Sequence, residues 1–446
     1  MERSKPRRRR NRGLERLKTL LIVLLSLSAI YLTGLALVQN RVSGSQGLLS
    51  GLISLFRPQS TVETSDLGNT VQLTAAARPV RIAVCDGVNR YAVQYNTTQT
   101  DKLYDSVGIL LGEALSSADS PTVVTESVWQ AALSAPGVWF DFLGKIPLET
   151  LSAWTGEGGI NTALTGSARR IAVALADDGV RLYYHNESDG LYYTCKTAVT
   201  YQGHMDELIA GYGGNGVPFA FELGTDSGYA GLDPYVLISA SAPTPNIYRA
   251  SNPLANLDDT LISSLQQALS FQTSYYAIPN GIRIREGQET LEISNTGTIS
   301  YTTAEGTSSR YPVGSEYGYD ITEVVETTRR MAADTVSRYC GAARIYLMDV
   351  TETDTGLSVR YGYSLNGAEV SLSGGDSAAL FTIQDGQITA FTLRFRRYED
   401  AGQTSLVLNE RMAAAALEAL DPEGRELVLC YSDSGGDTVQ AGWVAK

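Results

Sequence analysis

The side chains that do most protein chemistry are sparse and scattered in this sequence. Its 446 residues include two histidines, His185 and His204. His204 opens the run HMDEL, which lacks the second histidine, four residues on, that a helical zinc-protease motif needs to place two imidazoles on one face. No GxSxG elbow, Walker-type phosphate loop or SxxK acylation pair is present where a nucleotide or serine enzyme would carry one. One GxGxxG occurs, from Gly211 to Gly216, but helix-like DELIA precedes it and VPFAFEL follows it. Pyrophosphate binding needs a strand before and a helix after, so this stretch reads as a loop. Acidic turns at Asp349, Glu352 and Asp354, and from Asp433 to Asp437, offer oxygen ligands without the spacing of a calcium loop, and read as solvated turns. The expectation is a protein with no catalytic, cofactor-binding or metal-binding residues.

Cys85, Cys195, Cys340 and Cys430 lie far apart, with no CxxC pair, which excludes zinc-knuckle and thioredoxin patterns. Each sits in an apolar or strand-like run (IAVCDG, YYTCKT, SRYCGA, LVLCYS), as a buried thiol acting as a small hydrophobe would; an exported chain could also oxidise them. Asn96-Thr97-Thr98 and Asn186-Glu187-Ser188 are glycosylation acceptors only in a eukaryotic host.

What organises the chain is Leu20 to Val38, LLIVLLSLSAIYLTGLALV, an uncharged run whose length approaches the ~30 Å hydrocarbon core of a bilayer. Nine Lys and Arg residues precede it against Glu2 and Glu15, while the whole chain is −13. A basic tail before an uncharged span keeps the N-terminus in the cytoplasm and exports the rest. A cleaved signal peptide shares the basic-then-apolar order, but its apolar region is shorter, about 7 to 15 residues, and the best small-x-small site is Val42-Ser43-Gly44. The span therefore reads as a single-pass anchor in the cell membrane. Within it Ser26, Ala29, Thr33 and Ala36 share one helical face. Such a stripe admits a partner helix closely, making these four the candidate helix–helix interface; small residues are also common in any membrane span.

Beyond the anchor, 43% hydrophobic and 19% charged residues describe a globular chain, and 25 Tyr with 43 Gly favour strands and tight turns. The acidic exported part would repel nucleic acid and anionic wall polymers. The expected order is a cytoplasmic basic tail (1–18), the transmembrane helix (19–38), a juxtamembrane linker (39–75), an N-terminal exported α+β domain (76–245), a middle α+β domain (246–318) and a C-terminal α+β domain (319–446). In the linker, LLSGLISLF carries Leu48, Leu52, Leu55 and Phe56 on one face, suiting a short helix on the membrane surface or docked on the first domain.

In the first domain, PVRIAVCDG and NRYAVQYN alternate around the hairpin signal Asp86-Gly87, and LYDSVGILLGEAL has helical period. RRIAVALADDGVRLYYHN and LYYTCKTAV supply further strands, and the aromatic run Val138 to Phe142 reads as core, followed by a short helix. APTPNIYRASN, from Ala242 to Asn252, reads as a linker. After it, helices DDTLISSLQQALS, DITEVVETTRRMAADTVSRY (capped by Asp320) and LNERMAAAALEAL alternate with meanders of strands. The fold class expected is α+β: helices packed across one face of curved antiparallel sheets, behind a single transmembrane helix.

This order of parts resembles the YycH family, with its relative YycI, of Gram-positive bacteria. The resemblance rests on ETLEISNTGTISYTT (Glu289 to Thr303), the long helix through Arg338, SVRYGYSLNGAEV leading to FTIQDGQITAFTLRFRRYE (Ser358 to Glu399), and the closing AGWVA. It is densest over residues 255–446 and diffuse before them. It departs at Cys340-Gly341-Ala342, where that family tends to have a Gly-Gly-Trp-like turn. The resemblance implies a regulator that adjusts a membrane sensor histidine kinase controlling cell-wall metabolism, together with a YycI-like protein, through transmembrane and exported contacts. It implies no enzyme and no cofactor. The alternative is a non-catalytic scaffold of an envelope or sporulation complex.

Overall fold

The computed structural model describes residues 77–445 apart from 156–158, 225–228, 230–231, 240, 315–317, 319 and 421–425. The expected transmembrane helix, its stripe Ser26, Ala29, Thr33 and Ala36, and the juxtamembrane linker lie outside the described residues. Among the described residues no helix is long and apolar enough to cross a membrane.

The N-terminal part is a seven-stranded sheet built from β1 (Arg81–Cys85), β2 (Arg90–Val93), β3 (Thr122–Val124), β4 (Gly137–Pro147), β5 (Ser167–Ala176), β6 (Gly179–Asn186) and β7 (Leu191–Lys196). Their order across the sheet is β2-β1-β4-β5-β6-β7-β3. The turn expected at Asp86-Gly87 is there: Asp86 Oδ1 accepts from the Val88 and Asn89 amides, and Cys85 pairs with Arg90. Three helices flank the sheet, α1 (Thr97–Ser117), α2 (Glu126–Ser134) and α3 (Leu148–Thr155), and a short α4 (Asp206–Ile209) follows it. Asn96 caps α1 by accepting from the Gln99 amide. The helix then buries Leu103, Val107, Leu110, Leu111 and Ala114, one stripe at helical spacing.

Helices cover one face in the expected reading, but this sheet is covered on both. Ile82, Val84, Val138 and Phe140 face the α1 side, while Ala83, Trp139, Ala172 and Tyr183 face a second cluster with Trp129 of α2 and Phe219. Side chains alternate across a strand, so burial on both sides requires the near-continuous apolar runs seen in β1 and β4.

The C-terminal part is one thirteen-stranded sheet. It contains β8 (Asn246–Ser251), β9 (Tyr276–Ile278), β10 (Gly281–Glu286), β11 (Glu289–Ser294), β12 (Thr298–Thr303), β13 (Arg344–Thr353) and β14 (Gly356–Leu365). It continues with β15 (Ala368–Leu372), β16 (Ala379–Gln384), β17 (Gln387–Arg394), β18 (Arg397–Thr404), β19 (Leu427–Asp433) and β20 (Thr438–Ala445). The order runs β18-β8-β20-β19-β15-β14-β16-β17-β12-β11-β10-β9, with β13 on the other side of β14. Helices α5 (Asp259–Ala268), α6 (Ile321–Ala332) and α7 (Glu410–Leu420) pack on it. Asp320 caps α6 by accepting from the Thr322 amide, as its position predicts.

Two corrections follow. The run taken as a linker is β8, which sits between β18 and β20 with Tyr248 and Ala250 buried. Its two prolines precede the strand, where they cost no ladder bond. The sheet is also not purely antiparallel, because β15 and β19 pair in parallel. Strands from residues 246–318 and 319–446 join through β12 and β17, so the two segments share one sheet. A single apolar cluster runs from Ile82 and Leu110 through Ile284 and Val325 to Phe391.

Candidate functional site

The residues that sequence chemistry singles out are kept apart by the fold. His204 Nε2 lies 2.7 Å from Glu113 of α1 on the surface. His185, on β6, stacks on Tyr192 with centroids 4.6 Å apart, and burial pushes its pKa down, favouring the neutral ring. The Gly211–Gly216 stretch closes a sheet edge. Asn215 takes the Ala92 amide on Oδ1 at 3.0 Å and donates Nδ2 to the Ala92 carbonyl at 2.7 Å, while its own amide reaches Arg90 O. These bonds satisfy the outer backbone groups of β2, as an edge-covering loop does.

Asp349 is paired with Arg360, and Glu352 and Asp354 are exposed. Asp433 departs from the solvated turn expected of it. It is 3% exposed, accepts two 2.8 Å bonds from Arg396 and takes a third from Tyr398 Oη. Among the described residues no group of three or more His, Cys, Asp or Glu side chains could hold a metal ion. All four cysteines are reduced and buried.

Sequence reasoning missed a buried electrostatic joint. Asp141, in the middle of β4, is fully buried and accepts from Arg81 at 2.7 Å and from Arg169 at 2.9 and 3.1 Å. Its Oδ1 also takes the amide of Leu143, which sits at φ 70° in the bulge that follows. Arg169 simultaneously grips Glu426, the residue before β19, and Arg170 bridges Glu426 to Asp233. Burial pushes the Asp141 carboxyl up, but Arg169 and Arg81 outweigh it and hold it well below the usual carboxylate range. Glu426 behaves alike: burial opposes ionisation, Arg170 and Arg169 overcome it, and its pKa falls to about 2. The signal was present in the sequence as an aspartate inside VWFDF and paired arginines inside an apolar strand. Buried charges are seldom placed singly, so each such residue asks for a partner that the sequence alone cannot locate.

Around this joint the N-terminal and C-terminal sheets interlock. Glu410, the first residue of α7, is 1% exposed and accepts from the Ser239 amide at 2.7 Å and from Gln94 at 3.2 Å. Burial raises its pKa to about 7. Asn366, on the turn between β14 and β15, accepts the Thr97 amide at the start of α1. The β4 bulge approaches β13 so closely that a Cβ on Gly144 would lie 1.8 Å from the Leu347 carbonyl oxygen.

Two clefts open nearby. One, of about 450 Å³, is lined by Cys85, Arg90, Ser134, Gly214 and Glu222. Arg90 there is paired with Glu222 and lies over the Phe219 ring at 4.5 Å, so the two charges satisfy each other. The other, of about 490 Å³, lies between the end of α6 and β13, over Trp154 and Tyr361. In the first cleft the Ser134 hydroxyl donates to Glu222 at 3.3 Å, and that carboxylate is already held by Arg90.

No protein-family model matches the chain, and no curated protein is similar to it. Among solved structures, the crystal structure of YycH from Bacillus subtilis is similar, with a TM-score of 0.50 at 11% identity over 84% of this chain and 94% of that one. Coverage of that extent reaches well beyond residues 255–446, where the sequence resemblance is densest. The mixed helix and antiparallel-sheet architecture described above is a YycH-like fold.

Proposed function

We propose that this protein is a membrane-anchored, extracytoplasmic regulator of a sensor histidine kinase that controls cell-wall metabolism. It acts by contact, together with a YycI-like protein, and not by catalysis. The observation that carries this reading is the YycH-like fold, matched over nearly the whole of the solved YycH chain. The sequence supports the anchoring: an uncharged Leu20–Val38 behind a tail with nine basic residues suits a cytoplasmic N-terminus and an exported remainder. A regulator of this kind biases a two-state kinase only if it binds one state better than the other, and the buried joint supports that role by keeping the two sheets in one fixed relation.

The test pairs a topology assay with a coupling assay. Reporter fusions after Lys18 and after Thr70 should read cytoplasm and exterior. Replacing Ala29 and Thr33 together by Leu should leave membrane insertion intact while removing close helix contact, so crosslinking to the kinase and output of its wall-metabolism promoters should fall together. Replacing Leu24 and Leu27 by Ile is the control. Normal promoter output after deletion of the whole gene, with a disordered envelope, would sink the regulator reading in favour of a scaffold.

A further inference from the structure

The cleft of about 490 Å³ over Trp154 and Tyr361 has the make-up of a small-molecule pocket. Its volume falls within the ~300–1,000 Å³ usual for such sites, and it opens where two parts of the fold meet, a common place for them. Arg78 and Trp154 come from the N-terminal part, and Arg329, Ala333, Arg344 and Leu347 from the C-terminal part. The main chain of β13 is not on offer to a ligand. The β4 bulge backs onto it, with Gly144 against the Leu347 and Met348 carbonyls. Recognition in the cleft therefore falls to side chains.

The floor is apolar because its polar tips are committed elsewhere. Trp154 Nε1 donates to Glu326 at 3.4 Å. Tyr361 Oη donates to the Val325 carbonyl at 3.0 Å and lies 2.9 Å from the Thr328 hydroxyl. What these two side chains leave to the cleft is ring surface, and Leu347 beside them adds methyl groups. A polar group lowered onto this floor would lose its water and gain no partner, so the buried part of an occupant must be apolar.

The charged side chains that line the cleft are Arg78, Arg329 and Arg344, all cationic in a chain of net charge −13. Each has an acidic partner that does not itself line the cleft: Asp101 and Asp105 for Arg78, Glu326 for Arg329, and Asp101 for Arg344. Donors remain. Glu326 takes Nε and Nη2 of Arg329, and Asp101 takes both Nη atoms of Arg344, whose side chain is still 51% exposed. A guanidinium presents five N–H donors, so an incoming anion can use Arg329 Nη1 and Arg344 Nε while the existing pairs persist. A cationic head would instead face three guanidiniums.

We propose that this cleft binds a single-chain anionic amphiphile. Its acyl chain lies over Trp154, Leu347 and Tyr361, and its carboxylate or phosphate head meets Arg329 and Arg344. The inference goes beyond the kinase reading and does not depend on it, since such binding is a property of this chain alone.

The experiment titrates the full-length chain, reconstituted in phosphatidylcholine vesicles, with ω-bromooctanoate, whose bromine quenches a tryptophan that it touches. Saturable quenching is expected in the parent and is lost in Trp154→Phe, which keeps an aromatic floor and shows what the other tryptophans contribute. Affinity should fall roughly tenfold in Arg344→Glu and strongly in ~0.5 M salt. Ala333→Phe, which fills the cleft, should remove the saturable phase; Arg344→Glu, on a half-exposed side chain, decides the matter if that variant misfolds. Arg249→Glu, exposed on β8, should change nothing. ω-Bromooctyl phosphate should also saturate; the tighter of the two heads tells a fatty acid from a phosphorylated lipid, and either supports the proposal. It would be overturned by the absence of saturable quenching, by its persistence in Trp154→Phe, or by its indifference to both Ala333→Phe and Arg344→Glu. Equal saturation by ω-bromooctyl trimethylammonium would overturn it as well.

Discussion

Arg169 holds Glu426 through two parallel bonds of 2.8 and 2.7 Å, across 257 positions of the chain, while its remaining donors hold Asp141. One guanidinium thus ties the centre of the N-terminal sheet to the entry of the final hairpin. Paired guanidinium and carboxylate groups of this geometry are strong but costly to desolvate, so their removal is felt chiefly as an orphaned charge. Asp141→Ala should therefore destabilise the chain by about 3–5 kcal/mol. Equilibrium urea unfolding checks this. The double variant Arg169→Met with Glu426→Leu should cost less than its two single variants summed, because it leaves no partner of that pair uncompensated.

Glu410 makes stability depend on pH. Its carboxyl is raised from 4.5 to about 7 in the folded chain, so between those values the folded state keeps a proton that the unfolded state has released. Stability from this group is present at low pH and declines by on the order of 3 kcal/mol as pH rises from 4.5 to about 7, then levels off. Glu426 acts oppositely and in a different window. Its depressed carboxyl contributes above pH 4.5 and loses that contribution as pH falls toward about 2. Urea midpoints of Glu410→Gln across pH 5 to 8 should lack the decline; an unchanged slope would remove Glu410 as its source.

The approach of β4 to β13 leaves no space for a methyl group. Gly144→Ala should cost at least ~1–3 kcal/mol, since backbone carbonyls of Leu347 and Met348 must give way. Gly213→Ala, whose Cβ would meet nothing within 4 Å, should stay within ~0.5 kcal/mol of the parent. Thermal unfolding of the two variants side by side reads the difference.

Thiol reactivity should follow burial. Burial pushes Cys195 up to about 12 and Cys340 up to about 11, so neither yields much thiolate at pH 8. Cys85 borders the 450 Å³ cleft and should be labelled first by a maleimide, with all four reacting in urea. Rapid native labelling of Cys195 ahead of Cys85, followed by peptide mapping, would contradict this packing.

The sequence by itself determined the local elements of this protein. The Asp86-Gly87 hairpin, the Asn96–Ser117 segment with its apolar stripe, the Asp320 cap and the closing hairpin of β19 and β20 all depend on turn chemistry, capping or periodicity within about a dozen residues. Tertiary structure alone decided which runs became neighbours. Asn246–Ser251 looks like part of a linker because Pro243 and Pro245 just before it and its own polar residues are local signals, yet it is a strand because β18 and β20 offer it two edges and bury Tyr248. Asp433 sits in a glycine-rich acidic stretch that reads as solvated, and only the return of Arg396 and Tyr398 makes it a buried pair. The same holds for Asp141, Arg169 and Glu426, and for the groove bordered by Arg78, Arg329 and Arg344. Charge pairing and cleft formation are set by surfaces that meet across hundreds of residues, and their cost and gain exist only once water has been excluded between them.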